Sequence, residues 1–276
     1  MEEFIVSESK KLTKFLQAQG VGYSAILKAL RKKDIKINGQ RVSKDLILAK
    51  GDKVTIYIQK EKLALNVVYQ DDNLVVLNKP QGIESVDFFE IVKQDFPSAI
   101  FTHRLDRNTG GLIIFALNQN SYNSLYNAIK TKTLNKYYKA MVYGKMPKKH
   151  DILVAYCKKD SQNSFVSVFA DYKLGRQKMI TEYSVISEQE NSSILQIKLV
   201  TGRTHQIRSH LAFVGNFVLG DSKYGKESIN KALNLKYQQL FACRIEFNFD
   251  KQDFLYYLNQ KQISQGDKHI LTSRKH

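Results

Sequence analysis

The sequence predicts an α+β protein with two domains, the larger one built on a mixed, mostly antiparallel sheet. Its 276 residues exceed the roughly 150 residues that are typical of a single domain. Segments with strand patterns outnumber those with helical patterns, and the two do not alternate as they would in a doubly wound fold. The 43% of hydrophobic and 25% of charged residues are ordinary for a packed chain. We therefore expect domains at 1–60 and 66–260, followed by a polar tail at 261–276.

The charge of the chain indicates a polyanionic partner. Lysine and arginine number 43 against 26 acidic residues, which gives a net charge of +17. Residues 1–60 carry +7 of this excess, so the charge is densest at the N-terminus. No apolar run approaches the ~18 residues of a membrane helix, so no membrane partner is expected. The opening Met1-Glu2-Glu3 also differs from a secretory leader, which begins with basic and then apolar residues.

Cysteine content favours a cytoplasmic address. The chain has two cysteines, Cys157 and Cys243, which are far apart and outside any C-x-x-C or Cys/His cluster. We expect both to be unbridged thiols packed as small apolar residues.

The N-terminal segment predicts a small α/β domain that begins with two helices. The two helical patterns are separated by Gly20-Val21-Gly22, and the second ends in the basic run Arg31-Lys32-Lys33. The turn dipeptide Asn38-Gly39 joins two short strands, and residues 54–58 alternate as a strand does. The residues expected to face inward from the helices are Leu12, Phe15, Leu16, Ile26, Leu27 and Leu30.

This pattern resembles the RNA-binding module first known from ribosomal protein S-four, over most of residues 8–58. The stretches that carry the resemblance are Lys14-Phe15-Leu16, Arg31-Lys32-Lys33, Ile37-Asn38-Gly39 and Gly51-Asp52-Lys53-Val54. The resemblance implies that Lys14, Arg31, Lys32 and Lys33 contact RNA phosphates, with salt-dependent binding and little sequence preference. A solvated helix end, favoured by the helix dipole, would account for the same basic run without RNA.

The larger domain predicts many strands and few helices. Two apolar runs, Val67–Tyr69 and Leu74–Leu77, flank the turn Asp71-Asp72-Asn73 and predict a β-hairpin. Further strands are predicted at 111–116, 138–143, 152–157, 164–169, 181–186, 194–200 and 240–249. Helices are predicted at 87–95, 120–130 and 204–213.

Two segments of this domain place charged groups beside predicted strands. Asp106 lies between Arg104 and Arg107, so the cations would keep its carboxylate ionised or grip an anionic substrate. A salt bridge that closes a turn is the structural alternative. Arg203 lies where a strand meets a helix, a junction whose amides bind anions.

Histidine and tyrosine positions add two further expectations. His205 and His210 are five residues apart and do not form an i,i+4 pair, so no metal site is expected. Tyr137 and Tyr138 must face opposite sides of their strand. A tyrosine that faces a cleft can stack on a base, whereas a core position is the structural alternative.

Together these segments are similar to the RluA-type pseudouridine synthases. The matching stretches occur in the family's order across residues 67–249: Asn78-Lys79-Pro80-Gln81-Gly82, His103-Arg104-Leu105-Asp106, Lys136-x-Tyr138-x-Ala140, Gly202-Arg203-Thr204-His205-Gln206-Ile207-Arg208 and Leu219-Gly220-Asp221-x-x-Tyr224-Gly225. The resemblance implies a pseudouridine-synthase-like catalytic domain that isomerises specific uridines in RNA. It implies no cofactor and no metal, because the reaction neither gains nor loses atoms.

The resemblance also assigns roles to residues. Asp106 corresponds to the catalytic aspartate, and Tyr138 to the tyrosine that stacks on the base and serves in later proton transfer. Arg203 is favoured over Arg208 as the basic partner of Asp106. The arginines assigned to RNA contact are Arg104, Arg107 and Arg208.

Thr109-Gly110-Gly111 departs from the Thr-Ser-Gly usual in the family, and we expect the missing hydroxyl to loosen the turn after Asp106. The S-four-type module implies structured ribosomal RNA of the large subunit as substrate, with transfer RNA left open. We expect a cytoplasmic monomer. The alternative from another class is a non-catalytic RNA-binding or ribosome-assembly factor that retained the fold.

Overall fold

The computed structural model describes residues 1–57, 63–160 and 164–265. The chain divides into two compact units, Met1–Ala64 with Val86–Pro97 and Leu65–Ser85 with Ser98–His276. The first division falls inside the predicted linker between residues 60 and 66. Residues 86–97, however, belong to the first unit, whereas the sequence predicts an uninterrupted second domain from 66 to 260. The pattern of a helix predicts its apolar face but not the core against which that face packs.

Up to residue 64 the first unit combines two helices with two small sheets, and residues 86–97 add most of a third helix. A four-stranded antiparallel sheet has the order β1-β6-β3-β4, and β2 pairs with β5. Its elements are β1 (Glu2–Ile5), β2 (Lys10–Lys11), α1 (Leu12–Ala18), α2 (Tyr23–Lys32), β3 (Ile35–Ile37), β4 (Gln40–Val42), β5 (Ile47–Leu48) and β6 (Lys53–Ile56). The predicted strand 54–58 corresponds to β6, and its last residue lies outside the described residues.

Helical spacing determines the core of this unit. The buried positions of α1 and α2 recur at intervals of three and four residues, as an amphipathic helix requires. Asn38 and Gly39 both adopt positive φ, +49° and +83°, and form the two-residue turn between β3 and β4. The side chains buried from the helices are Leu12, Phe15, Leu16, Ile26, Ala29 and Leu30.

The second unit is dominated by one large sheet. Its strands are β7 (Val67–Gln70), β8 (Leu74–Lys79), β9 (Ile100–Phe101), β10 (Gly110–Ala116), β11 (Leu134–Tyr143), β12 (His150–Asp160), β13 (Phe165–Phe169), β14 (Gln177–Gln189), β15 (Ser192–Leu199), β16 (Leu240–Phe247) and β17 (Gln262–Ser264). The helices after β6 are α3 (Ser85–Asp95), α4 (Gln119–Thr131), α5 (Gln206–Phe213) and α6 (Glu227–Ala232). All of α3 except its first residue is counted in the first unit.

The strand order of this sheet confirms the predicted α+β class. The order is β13-β12-β14-β15-β11-β16-β10-β8-β7, with β17 beside β16 and β9 beside β10. Within the described residues, β10 and β16 pair in parallel and the other paired strands are antiparallel. Because β16 lies between β10 and β11, Ala242 pairs with Gly111 on one side and with Tyr138 on the other. This register brings the Asp106 loop, which precedes β10, close to Tyr138.

Several short elements were not predicted. Strand β9 and helix α6 are too short to show a period, and β17 lies within the predicted polar tail. Residues 262–264 pair with β16, and Ile263 is buried, so the prediction of a tail from residue 261 is wrong at its start. Residues after 265 lie outside the described part. Both cysteines are buried thiols, as expected.

Among the described residues, no helix combines the length and the apolar character that a membrane crossing requires.

Candidate active site

The Asp106 loop connects β9 to β10 and is fixed by hydrogen bonds on both sides. Ser85 exchanges two hydrogen bonds with the backbone of Leu105, at 2.8 and 2.9 Å. The amide of Thr109 donates to the carbonyl of Asp106 at 3.0 Å and closes the turn. The side chain of Gln238, from the chain before β16, donates to the Thr109 hydroxyl at 2.7 Å. The backbone that carries Asp106 is therefore held to two other parts of the chain.

Lys79, at the end of β8, donates hydrogen bonds that hold the same loop in place. Its side chain is fully buried, and Nζ donates to the carbonyls of Pro80 and Ile83 at 2.9 Å and of Arg107 at 3.3 Å. Burial lowers the pKa of Lys79 to about 8, although the charges of Glu84 and Asp106 oppose this shift. Lys79 is thus a buried cation that ties β8 to the residue after Asp106.

The two glycines after the loop allow close packing against β16. Gly111 has φ +107°, and a Cβ there would lie 2.2 Å from the carbonyl oxygen of Ala242. A Cβ at Gly110 would lie 3.0 Å from Cδ1 of Phe241 and 3.1 Å from Cγ of Gln81. Phe241 and Gln81 therefore occupy the space beside the position where the family usually has serine. The turn after Asp106 is nevertheless hydrogen-bonded through Thr109, to the carbonyl of Asp106 and to the side chain of Gln238.

The carboxylate of Asp106 pairs with Arg208, not with Arg203. Nη1 of Arg208 donates to Oδ2 of Asp106 at 2.9 Å, and Arg208 also forms a bidentate pair with Asp221 at 2.7 and 2.9 Å. Arg208 lies on α5 with a buried side chain, while the side chain of Asp106 keeps 20% of its surface exposed. Burial opposes the charge of Arg208, but the two carboxylates outweigh this effect and raise its pKa.

Arg203 has a different environment, so its predicted pairing with Asp106 is wrong. It precedes the first residue of α5 and is exposed, and its Nε donates to the carbonyl of Lys178 at 3.2 Å. The physical reason is the direction of the side chain. Arg203 leaves the backbone before the helix begins, whereas Arg208 lies among the inward-facing residues of α5. Arg208 also lines the cleft, and its contact with RNA stays a prediction.

Tyr138 lies in β11 and faces the same cleft as Asp106. Only 6% of Tyr138 is exposed, and burial together with the nearby charge of Asp106 raises its pKa, so the phenol is uncharged at neutral pH. Tyr137 lies on the opposite face, where its hydroxyl donates to Glu246 at 2.9 Å and the guanidinium of Arg244 stacks on its ring. The expectation that the two tyrosines face opposite sides is confirmed.

The cleft has a volume of about 170 Å³ and lies within the second unit. Cations surround the carboxylate of Asp106. Arg104 and Arg203 are exposed at the cleft. Lys136 also lines the cleft, and burial lowers its pKa. Arg107 lines an adjoining pocket that also reaches Asp106. The charged and aromatic residues of the cleft are Arg104, Asp106, Lys136, Tyr138, Arg203 and Arg208.

The two histidines of the α5 region serve different contacts. Nδ1 of His205 lies 2.9 Å from the hydroxyl of Tyr224, and His205 lines the cleft. His210 is buried, with Nδ1 2.9 Å from the hydroxyl of Thr181, and burial lowers its pKa to about 4. Among the described residues, no group of three or more His, Cys, Asp or Glu is arranged to hold a metal ion.

The predicted basic residues of the first unit are exposed on α1 and α2. Lys14, Arg31, Lys32 and Lys33 all face solvent. Lys33 terminates α2 with φ +57°, and Nε of Arg31 donates to the carbonyl of Leu27. Their contact with RNA stays a prediction.

Sequence reasoning assigned no role to Lys79, Gln238 or Asp221, although all three shape the site. A signal for Asp221 was present, because an arginine among the apolar residues of a helix requires a buried acidic partner. That signal does not say which of the 26 acidic residues is the partner.

The α+β fold carries a cleft in which a partly exposed carboxylate and an uncharged phenol are surrounded by arginines, an arrangement suited to an anionic substrate. The family model described as RNA pseudouridylate synthase matches residues 73–213. The chain therefore belongs to the RNA pseudouridylate synthase family and is an RNA pseudouridine synthase, an isomerase of the RluA type. The enzyme class predicted from the motifs is confirmed.

Individual relatives agree with this assignment. An uncharacterized RNA pseudouridine synthase from Mycoplasma capricolum subsp. capricolum is 31% identical, over 95% of this chain and 97% of the relative. Ribosomal large subunit pseudouridine synthase C from Rickettsia conorii is 32% identical, over 80% of this chain and 84% of the relative. The structure of human RNA pseudouridylate synthase domain containing 1 has the same fold, with a TM-score of 0.62 and 22% identity, over 79% of this chain and 94% of that chain.

Proposed function

We propose that this enzyme isomerises uridines of large-subunit ribosomal RNA to pseudouridine and that Asp106 begins the reaction. The observation that carries the proposal is the position of the Asp106 carboxylate. It is ion-paired with Arg208 at 2.9 Å and still partly exposed to a cleft that also contains Tyr138. A carboxylate in this position is anchored and can reach a base that enters the cleft.

The reaction breaks the bond between N1 of uracil and C1′ of the ribose, rotates the base and joins C5 to C1′. C5 loses a proton and N1 gains one, so the atoms of substrate and product are the same. Asp106 has two routes: attack on C1′, or removal of the C2′ proton on the way to a glycal. Both routes use an oxygen of the Asp106 carboxylate, which the ion pair with Arg208 holds in place.

Tyr138 provides a neutral ring and a hydroxyl at the same cleft. An aromatic ring can stack on an extruded base, and base extrusion costs least at unpaired or bulged uridines. The raised pKa of Tyr138 keeps its hydroxyl protonated, so the hydroxyl can donate a hydrogen bond. We assign it to base stacking and to proton transfer after the bond to C1′ has broken.

Contact with the RNA backbone is assigned to the exposed cations. Arg104 and Arg107 are exposed beside Asp106, and Arg203 is exposed at the cleft, so all three are available to phosphates. In the first unit, Lys14, Arg31, Lys32 and Lys33 would add contacts that depend on salt rather than on sequence.

Ribosomal RNA is favoured over transfer RNA as the substrate because several relatives are named ribosomal large subunit pseudouridine synthase C. One of them, from Vibrio parahaemolyticus, is 27% identical over 94% of this chain. A cytoplasmic monomer that acts on ribosomal RNA is part of the same proposal.

The substitution Asp106→Asn tests the catalytic assignment. With RNA tritiated at C5 of uridine, the wild-type enzyme should release tritium, because C5 exchanges its proton for the bond to C1′. The variant should lose at least about 10⁴-fold in rate, as expected for a residue that forms or breaks bonds to substrate. Its dissociation constant for RNA should stay within about threefold, because the arginines that contact phosphate remain.

A matched control is Asp151→Asn, which removes one carboxylate from an ion pair with Lys148 in the same unit. Its activity should equal that of the wild type. Tritium release by Asp106→Asn at an undiminished rate would show that another residue begins the reaction. Mapping pseudouridines in ribosomal RNA from cells with and without the enzyme identifies the substrate, and an unchanged map would exclude ribosomal RNA.

A further inference from the structure

Arg208 uses two separate edges of its guanidinium for two different carboxylates. Nε and Nη2 donate to the two oxygens of Asp221, at 2.7 and 2.9 Å. Nη1 donates to Oδ2 of Asp106 at 2.9 Å. A guanidinium is planar and presents its donors in a fixed arrangement, so a bidentate pair on one edge determines where the remaining donor points.

Asp221 is itself held in place. Its side chain is fully buried, and Oδ1 also accepts hydrogen bonds from the amides of Lys223 at 2.8 Å and Tyr224 at 3.1 Å. Burial alone would raise its pKa, but the hydrogen bonds and charge of Arg208, with those two amides, lower it. The carbonyl of Asp221 accepts from Nδ2 of Asn230 at 3.0 Å. Asp221 is therefore a rigid, ionised group.

The ring of Tyr224 completes the surroundings of Arg208, with its centre 5.3 Å from Cζ. If the guanidinium needed only charge balance, one carboxylate would be sufficient. A second buried carboxylate has a substantial desolvation cost, so its presence requires another reason. The geometry supplies that reason, because Asp221 sets the plane and direction of Arg208.

We propose that Asp221 is a positioning residue for pseudouridine formation: it orients Arg208 so that Nη1 holds the Asp106 carboxylate for reaction. This inference rests on the proposed role of Asp106. It assigns to Asp221 no contact with the RNA, so its effect passes entirely through Arg208.

A double-mutant cycle with Asp221→Asn, Arg208→Gln and the combined variant tests this dependence. The measurements are the single-turnover rate at saturating RNA and the dissociation constant for RNA. Asp221→Asn keeps an oxygen for the amides of Lys223 and Tyr224 and is expected to keep the fold. Its rate should fall about 10- to 100-fold. In metal sites, loss of a residue that orients a ligand through a hydrogen bond has an effect of this size. RNA affinity should change less than about twofold.

The combined variant should be no slower than Arg208→Gln alone, because Asp221 has nothing to orient once Arg208 is absent. Multiplied losses, or a weakened affinity at an unchanged rate, would overturn the positioning role. Glu227→Gln is the control, since it removes one negative charge from an exposed ion pair with Lys231 and should leave both quantities unchanged.

If Asp221→Asn does not fold, Arg208→Lys carries the test. Lysine keeps the charge but cannot bridge two carboxylates with a planar fork, so the rate should fall while affinity holds. A fully active Arg208→Lys variant would overturn the inference. A wild-type enzyme that forms no pseudouridine would overturn the proposed function and this role together, whereas an active wild type with an unimpaired Asp221→Asn variant overturns this role alone.

Discussion

Two consecutive tyrosines of β11, Tyr137 and Tyr138, lie in different environments. Tyr138 faces the cleft that contains Asp106, and Tyr137 faces the other side, where it contacts Glu246 and Arg244. Alternation along a strand produces this difference. It also provides a matched pair of substitutions for separating the function of the hydroxyl from that of the ring.

At the residue scale we predict that Tyr138→Phe retains RNA binding and loses rate. The proposed stacking of the ring would remain, but the hydroxyl to which we assign proton transfer would be absent, so the single-turnover rate should fall about 10²- to 10⁴-fold. Tyr137→Phe should retain the wild-type rate, because its hydroxyl lies on the opposite face. A Tyr138→Phe variant as fast as the Tyr137→Phe variant would rule out proton transfer by this hydroxyl.

Among the elements, α2 combines a buried apolar face with a basic C-terminal turn. The apolar face packs into the first unit through Ile26, Ala29 and Leu30. The last turn leaves Arg31, Lys32 and Lys33 exposed, where the helix dipole also favours positive charge. Stabilisation of the helix end by its dipole would account for one or two of these cations. Contact with RNA phosphates, in contrast, predicts that all three affect the strength and salt dependence of RNA binding.

We predict that the triple substitution of Arg31, Lys32 and Lys33 by glutamine weakens RNA binding and reduces its salt dependence. Each lost phosphate contact should reduce the slope of log K against log salt by about 0.7 to 0.9. The rate at saturating RNA should not change. Isothermal titration calorimetry or filter binding at several salt concentrations gives the slope of log K against log salt.

The control removes three other exposed cations, Lys148, Lys149 and Lys231, each already paired with a carboxylate. Both triple variants lose the same charge, so an effect of net charge alone would be equal in the two. Equal slopes for the two variants would count against a specific RNA contact by α2.

For the whole molecule, the buried His210 and the half-buried His103 couple stability to pH. Burial, reinforced for His103 by the charge of Lys136, lowers the pKa of His103 to about 3 and that of His210 to about 4. Both are therefore neutral in the folded enzyme, whereas an unfolded histidine titrates near 6.5. Below that pH the unfolded chain binds more protons than the folded one, so acid favours unfolding.

We predict that the free energy of unfolding decreases by about 2 kcal/mol for each of these histidines between pH 7.5 and pH 5. The loss begins near pH 6.5 and continues toward the folded pKa values. Denaturant unfolding at a series of pH values measures it, and His210→Gln should show a smaller pH dependence than the wild type. A flat profile between pH 7.5 and pH 5 would show that these histidines are accessible to protons in the folded state.

The net charge of +17 has different meanings in the two units. In the first unit the cations face solvent on helices, and in the second some surround a carboxylate. The charge predicts an anionic partner. The motifs around Asp106 and Tyr138 predict the reaction, and the family assignment confirms the enzyme class.

Local pattern was sufficient for most elements of the fold. The hairpin of β7 and β8, the buried strand β10 and helices α4 and α5 follow from alternation, apolar runs and helical spacing, which depend on near neighbours in the chain. Short elements such as β17 lack enough residues for a period. Helix α3 was expected from its pattern, but its place in the first unit depends on contacts between distant segments.

The sequence by itself determined the α+β class, the order of the motifs and the residues that could carry chemistry, because these depend on residue type and spacing. Only the tertiary structure decided that Arg208 rather than Arg203 pairs with Asp106 and that Asp221 holds Arg208. Arg208 and Asp106 are 102 positions apart in the chain. Their contact depends on the register of the sheet and on the direction in which α5 presents its buried side chains, which no local pattern contains.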